Sequence, residues 1–322
     1  MSRLTRLLLL CLAPLVGGCG VPSFLITPVA NSNKLQEHTV LPGSSGDKVA
    51  IIEVEGMLMN MRSGGLLQPT ENKVSLFKEQ LERAAADEHV KAVVLRVNSP
   101  GGTVTSSDTM YQLLMRFKER TKKPVIASLQ EVCASGGYYV SCASDQIMAN
   151  PTTVVGSIGV IFNTFDASRG MDKIGIRAEA IKSGPLKDMG SPFKAMAPEE
   201  RAVMQGMVDE YYARFKSVVA AHRTVPQAEV GHATDGRVYS GEQAMKIGLV
   251  DQLGLLEDAI SLARKLGKAP GARPVMYRRP YGYSGSVYAS TDVPQPRANV
   301  TQLQIPGADS FMPMGFYYLW QP

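Results

Sequence analysis

KPVIASLQEVCASGGYYV, residues 123–140, joins an apolar, β-branched run to a serine followed by two glycines. Residues 123–134 predict a strand, and Ser135 to Ser144 the start of the next helix. Just upstream, VKAVVLRVNSPGG (90–102) predicts a buried strand that ends in a Gly-rich turn. Between the two, SSDTMYQLLMRFKER (106–120) opens on cap residues and carries apolar positions three and four apart, which predicts an amphipathic helix. Further out, KVAIIEVEGML (48–58) predicts another strand and VSLFKEQLERAAAD (74–87) another helix. Strands that alternate with helices in this way predict an α/β fold, with parallel strands joined by right-handed crossovers.

Downstream, QIMANPTTVVGSIGVI (146–161) is extended and interrupted by turns. Residues 197–223 predict a long helix with Pro198, Glu199 and Glu200 in its first turn, and 240–254 and 255–267 predict short helices. From about Ala269 the chain turns rich in Pro, Tyr, Gly and Ser, which predicts a linker or loosely ordered extension. Its last stretch, FMPMGFYYLWQP, carries the only Trp of the 322 residues. Each feature occurs once, so no internal repeat is present.

The N-terminus has another character. Arg3 and Arg6 precede an apolar run from Leu7 to Val16, too short for a bilayer span of roughly 20 residues but suited to a signal peptide. The sequence VGGC resembles a bacterial lipobox, with Cys19 as the lipidation site. The expected organisation is a signal peptide over 1–18, a membrane tether over 19–47, a catalytic domain over 48–267 and a C-terminal extension over 268–322. The expected location is exported, attached to the membrane and facing the periplasm. Cys11 lies in the leader, and Cys133 and Cys142 are expected as buried free thiols. A formal charge of +5 with no Lys/Arg block or aromatic–basic interleaving argues against nucleic-acid binding. No Cys/His cluster suggests a metal, and no cofactor is called for.

The Gly-Gly pair behind Ser135 has two readings. One is a tight turn that needs small residues. The other is a nucleophile whose attacked carbonyl is stabilised by backbone N–H groups at a helix start, with the turn NSPGG (98–102) supplying a second donor. A serine nucleophile needs a base. His38 falls in the tether, His89 in a polar turn, and His222 and His232 flank a loop-like stretch, so none has a catalytic context. Lysine is the alternative, and AIKSGPLKDMGSPF (180–193) offers Lys182 and Lys187. Either would serve only if its pKa were lowered toward neutrality.

VNSPGG, ASGGYY, GSIGV, KSGPLKDMGSP and DGRVYSGEQAMKIGLVDQLG occur in the order and spacing of the signal peptide peptidase A family, serine proteases of the Ser–Lys type. The chain resembles that family over residues 48–267, in its short form. The resemblance implies a ClpP/crotonase-like fold, a right-handed spiral of ββα units. It implies Ser135 as nucleophile, Lys187 as general base and Ser157 as the residue that orients the lysine. The oxyanion donors are then the backbone N–H groups of Gly136 and Gly102. Asp188 beside the base would raise the lysine pKa, so its carboxylate is expected to point away into a surface ion pair. Lys182 is expected as a surface charge, and Tyr138 and Tyr139 as packing residues. The resemblance further implies degradation of released signal peptides and other apolar, extended peptides. It also implies a homo-oligomer, a ring of eight, in which neighbouring chains complete each site. Two other functions compete: a crotonase-type acyl-CoA enzyme, and a non-enzymatic ring that binds peptides.

Overall fold

The computed structural model describes residues 34–61, 71–279 and 315–321. The expected leader and Cys19 lie outside the described residues. A first strand, β1 (Gln36–Thr39), is followed by β2 (Lys48–Glu55). Residue Leu58 then bridges to Gly102, and helix α1 (Lys73–Ala86) starts where the Asn72 side chain accepts from Ser75 N–H at 3.0 Å. Strand β3 (Val90–Ser99) runs into the short β4 (Gly101–Thr103), and α2 (Val104–Thr121) is capped by the Thr103 hydroxyl. Next come β5 (Val125–Ala134), α3 (Gly136–Ser141), β6 (Gln146–Ala149), β7 (Val154–Gly156) and β8 (Ile161–Phe162). A short helix α4 (Ser168–Lys173) precedes the long α5 (Pro198–His222). Then follow α6 (Val230–Ala233), β9 (Val238–Ser240), α7 (Gly241–Lys246), β10 (Gln252–Leu253), α8 (Leu256–Leu266), β11 (Arg273–Arg278) and β12 (Phe316–Leu319).

The unit that repeats is a long strand, a short strand or bridge, and a helix. It appears as β2, the Leu58 bridge and α1, and again as β3, β4 and α2. This is the ClpP/crotonase-like spiral of ββα units. The long strands β2, β3, β5 and β6 lie side by side and parallel, in the sheet order β1-β11-β2-β3-β5-β6-β10. Their near-continuous apolar runs follow from burial on both faces. Ala50, Ile52, Val54, Val93, Leu95 and Val97 face the core shared with α1 and α2, whereas Val49, Ile51, Ala92 and Val94 face α8. Strand β5 pairs with β3 along one edge as far as Cys133, and on its other edge Ile126–Leu129 pair with β6 and Val132–Ala134 with β7, so that edge changes partner just before Ser135.

Strand pairing extends on both sides of residues 48–267. Strand β1, in the stretch assigned to the tether, pairs antiparallel with β11, and β11 pairs parallel with β2. Arg278 of β11 bonds the buried Glu53 of β2 at 2.8 Å, and Arg96 of β3 lies 3.3 Å from the same carboxylate. These contacts tie residues far apart in sequence into one buried ion network. The C-terminal β12 is likewise structured, in a small sheet ordered β4-β12-β8. The composition of residues 268–322 concealed these two short strands, because Pro, Gly and Ser outnumber the few residues that pair. Cys133 and Cys142 are both buried and free.

Candidate active site

Ser135 sits between β5 and α3 with φ 51° and ψ −117°, a backbone conformation that L-residues rarely adopt. Ser157 follows β7 with φ 51°. Among the described residues only Lys122 and Lys268 are also non-glycine residues at positive φ, and Lys122 is the left-handed cap of α2. The two serine turns are joined. Ala134 pairs with Gly156 in the β5–β7 ladder, and Ser135 N–H donates to the Gly156 carbonyl at 2.7 Å. Ser157 N–H in turn donates to the Arg237 carbonyl at 2.7 Å. Strain of this kind persists only where the surroundings over-determine it. Here two ladders, β5–β7 and β7–β9, supply the constraint.

The Ser135 hydroxyl is buried and has no hydrogen-bond partner among the described residues. A buried polar atom without a partner is disfavoured unless a functional role retains it. Around it the two glycine turns abut. A Cβ on Gly101, whose φ is 104°, would lie 2.7 Å from the Gly136 nitrogen, and a Cβ on Gly136 would lie 3.2 Å from the Gly101 Cα. The glycines therefore let two backbone segments meet beside the serine. Their reason is partly packing. A Cβ on Gly136 would meet the Ser107 hydroxyl at 2.3 Å, one on Gly137 the Ser99 carbonyl at 2.7 Å, and one on Gly102 the Leu58 carbonyl at 2.0 Å. The tight-turn reading of Gly-Gly thus applies, since small residues are needed at this packing.

Behind the Ser135 turn, Tyr138 and Tyr139 are fully buried, as their packing role predicts. The Tyr138 hydroxyl donates to the Leu249 carbonyl at 2.7 Å, and that of Tyr139 to Asp108 at 2.7 Å. Arg214 of α5 holds the same Asp108 carboxylate at 2.7 Å. Ser107 and Asp108 belong to this support. In the sequence they read only as cap residues of α2, and nothing local marked them.

Within one chain the structure brings together Ser135, Ser157, Gly136 and the Gly101–Gly102 turn. Among the described residues no hydrogen bond joins Lys187 to them. Lys187 is exposed, and among the described residues its ammonium forms no hydrogen bond or ion pair. Asp188 does turn away from it. Its carboxylate takes hydrogen bonds from Lys182 at 2.7 Å and Lys194 at 2.9 Å, and these hold its pKa down at about 2. Lys194 also pairs with Glu200. No histidine replaces the lysine. His222 is occupied by the Tyr111 hydroxyl at 2.7 Å, and His232 is exposed with Asp235 3.9 Å away.

The site is thus a strained serine with a buried, unpartnered hydroxyl, set against two glycine turns. The profile of peptidase family S49 matches residues 117–269. A protein of Enterococcus faecium that carries the signal peptide peptidase name is 36% identical over 77% of this chain and 72% of its own length. A protease-named protein of Methanocaldococcus jannaschii is 32% identical over 86% of this chain and 87% of that one. The protein called Protease 4 of Salmonella typhi is 35% identical over 70% of this chain but only 36% of its own length. A solved membrane-bound stomatin-specific protease matches with a TM-score of 0.43 and 15% identity, over 68% of this chain and 85% of that one. The chain belongs to peptidase family S49, the signal peptide peptidase A family of serine peptidases.

Proposed function

We propose that the chain is an endopeptidase that cleaves extended, apolar peptides, released signal peptides among them, through an acyl-enzyme on Ser135. The observation that carries this reading is the buried, unpartnered Ser135 hydroxyl at its strained turn. In the proposed reaction a neutral Lys187 takes the hydroxyl proton as the oxygen attacks the peptide carbonyl. The oxyanion forms against the N–H groups of Gly136 and Gly102. The lysine ammonium then gives its proton to the departing amine. Afterwards the lysine removes a proton from water, which hydrolyses the ester and returns the proton to Ser135. Ser157 orients the lysine.

The base comes from a neighbouring chain. Two observations support this: Lys187 is exposed and makes no hydrogen bond to Ser135, and the stretch of chain that carries it exposes several large apolar side chains. Phe165, Ile176 and Phe193 are 59%, 50% and 55% exposed and Ile181 fully so, all within one stretch of chain. Much of α5 is also uncovered; it buries only Glu200, Phe215, Val218 and Val219. Scattered single apolar residues are ordinary, but a group of this kind marks an interaction face. The assembly we propose is a ring of eight, attached to the membrane through a lipid on Cys19 and facing the periplasm. Among the described residues no helix is long and apolar enough to cross a membrane.

Mixing two inactive variants tests the reading. Ser135→Ala and Lys187→Ala should each abolish peptide hydrolysis, and subunit exchange between them should restore part of it. Full activity in Lys187→Ala would reject the dyad. Two dead variants that exchange subunits without rescue would place both groups in one chain.

A further inference from the structure

Both backbone groups of Ser135 are tied down. Its N–H donates to the Gly156 carbonyl at the end of β7, and its own carbonyl accepts from the Tyr139 N–H at 2.8 Å. The first bond continues a ladder. The second is only as well placed as α3, a helix of six residues that begins with two glycines. So short a helix makes few bonds of its own, and glycine leaves its first turn the most conformational freedom. The side chains that follow the glycines must therefore hold it in place. Tyr138 does so through its bond to the Leu249 carbonyl. Tyr139 does so toward α2 and α5.

The Tyr139 ring packs edge-on against Tyr111 of α2, with centroids 5.3 Å apart, and against Phe215 of α5 at 5.0 Å. Burial of a ring is non-directional, so the fine position is set at its tip. There a single carboxylate oxygen, Asp108 Oδ1, accepts from the Tyr139 hydroxyl at 2.7 Å and from Arg214 Nη2 at 2.7 Å and Nε at 3.1 Å. Burial and this carboxylate push the Tyr139 pKa well up, so the phenol stays protonated and donates. Hydrogen bonds with an ionised partner are short and roughly twice as strong as neutral ones. One residue earlier on α2, the Ser107 hydroxyl donates to the Thr103 carbonyl at 3.0 Å and stands 2.3 Å from where a Cβ on Gly136 would sit. Helix α2 thus meets the Ser135 turn at two successive residues. The Arg214 side chain is 46% exposed, and an ion pair of such exposure adds little to stability. What three bonds on one oxygen do fix is position.

We propose that Asp108 and Arg214 are positioning residues for the reaction: through the Tyr139 hydroxyl they hold α3, and with it Ser135, in attacking geometry. The relay runs from Arg214 to Asp108, to the Tyr139 hydroxyl, and by the Tyr139 N–H to the Ser135 carbonyl. It joins α5, a long helix that buries few of its residues, to the turn that carries the serine. The inference rests on the peptidase reading of Ser135, and its test separates the two.

Tyr139→Phe, which keeps the ring and deletes the hydroxyl, Asp108→Ala and Arg214→Met are compared with wild type as full chains. Peptide hydrolysis, the rate of Ser135 labelling by a fluorophosphonate, the unfolding midpoint and oligomer size are recorded for each. A misplaced serine should lower kcat and the labelling rate by about ten- to a hundredfold while KM stays within about twofold. Arg214→Lys, which restores a cation without the guanidinium fork, should recover part of the loss. Because the residues act in series, Tyr139→Phe combined with Asp108→Ala should be no slower than the slower single variant. Hydrogen exchange of the segment 135–141 should quicken in each variant, a readout that needs no catalysis. Quickened exchange, with no hydrolysis or labelling by wild type, would keep the relay and reject the peptidase reading. Variants that unfold earlier yet keep wild-type kcat and labelling rate would overturn the inference, leaving a structural tie. So would losses that multiply in the double variant. If Asp108→Ala does not fold, Tyr139→Phe and Arg214→Lys, each of which alters only a few atoms, decide between the same outcomes.

Discussion

The backbone N–H of Ser135 donates to the Gly156 carbonyl at 2.7 Å, and this bond locks the turn that carries Ser135 against the turn that carries Ser157. Both serines hold φ 51°. The strain in one turn is thus braced by the other. A change at either serine acts on a shared frame, which separates loss of chemistry from loss of structure only when folding is measured too.

Ser135→Ala should abolish labelling by a fluorophosphonate probe and lower kcat by ~10³-fold or more, as removal of a nucleophile does. Ser157→Ala should keep the nucleophile but lower kcat by on the order of 10²–10⁴-fold, the range of a general-base contribution. Labelling rates and unfolding midpoints check both. Equal labelling by Ser135→Ala and wild type would remove Ser135 from the chemistry.

Gly136→Ala should destabilise by about 1–3 kcal/mol through overpacking against the Ser107 hydroxyl. In a Ser107→Ala background the same change should cost less, because the nearest obstructing atom is gone and the two sites couple. Activity should not return, since the new Cβ still stands 3.2 Å from the Gly101 Cα and disturbs the meeting of the two glycine turns beside Ser135. Urea unfolding of the four variants in this cycle, with hydrolysis assayed alongside, measures the separation.

Burial holds the Cys133 and Cys142 thiols up at about 12, against an ordinary 9.0. Below pH 9 both thiols are protonated in folded and unfolded chains alike, and their contribution to stability is complete. As pH rises from about 9 toward 12 only the unfolded chain ionises, so stability falls. A chain with both cysteines changed to Ala should show a shallower decline over pH 8–10.5. Iodoacetamide at pH 8 should modify neither thiol in the folded chain and both in urea; rapid alkylation of the native protein would contradict the burial argument.

Burial, reinforced by Lys118 and Arg223, lowers the pKa of His222, whose ring bonds the Tyr111 hydroxyl. The folded chain therefore resists protonating it, and the stability it contributes is present above pH 6.5 and is lost as pH falls through the lowered value. His222→Ala should retain hydrolysis within about threefold while flattening that acid limb of the stability profile. A dead but folded His222→Ala variant would point to histidine as the base.

Much of the frame was legible in the residues. The strands at 48–58, 90–102 and 123–134 and the helices between them follow from apolar runs, cap residues and glycine turns, all of which act over a few residues. Ser135 and the glycine turns stood out by the same local logic, and the family motifs supplied Lys187 and Ser157. Asp108, Ser107 and Arg214 did not stand out, because a cap serine or surface arginine acquires its second role only when another element packs against it.

The sequence by itself determined the alternation of strand and helix, the Ser135 turn and the family motifs around it, because these depend on backbone preference and short-range pattern. Only the tertiary structure decided that 36–39 and 273–278 belong to the main sheet, that Lys187 is exposed without a bond to Ser135 in its own chain, and that Tyr318 comes to rest opposite Gly102. Pairing over more than 200 residues leaves no period in the chain. It is decided by which open sheet edge and which aromatic surface remain to be covered once the local elements have formed.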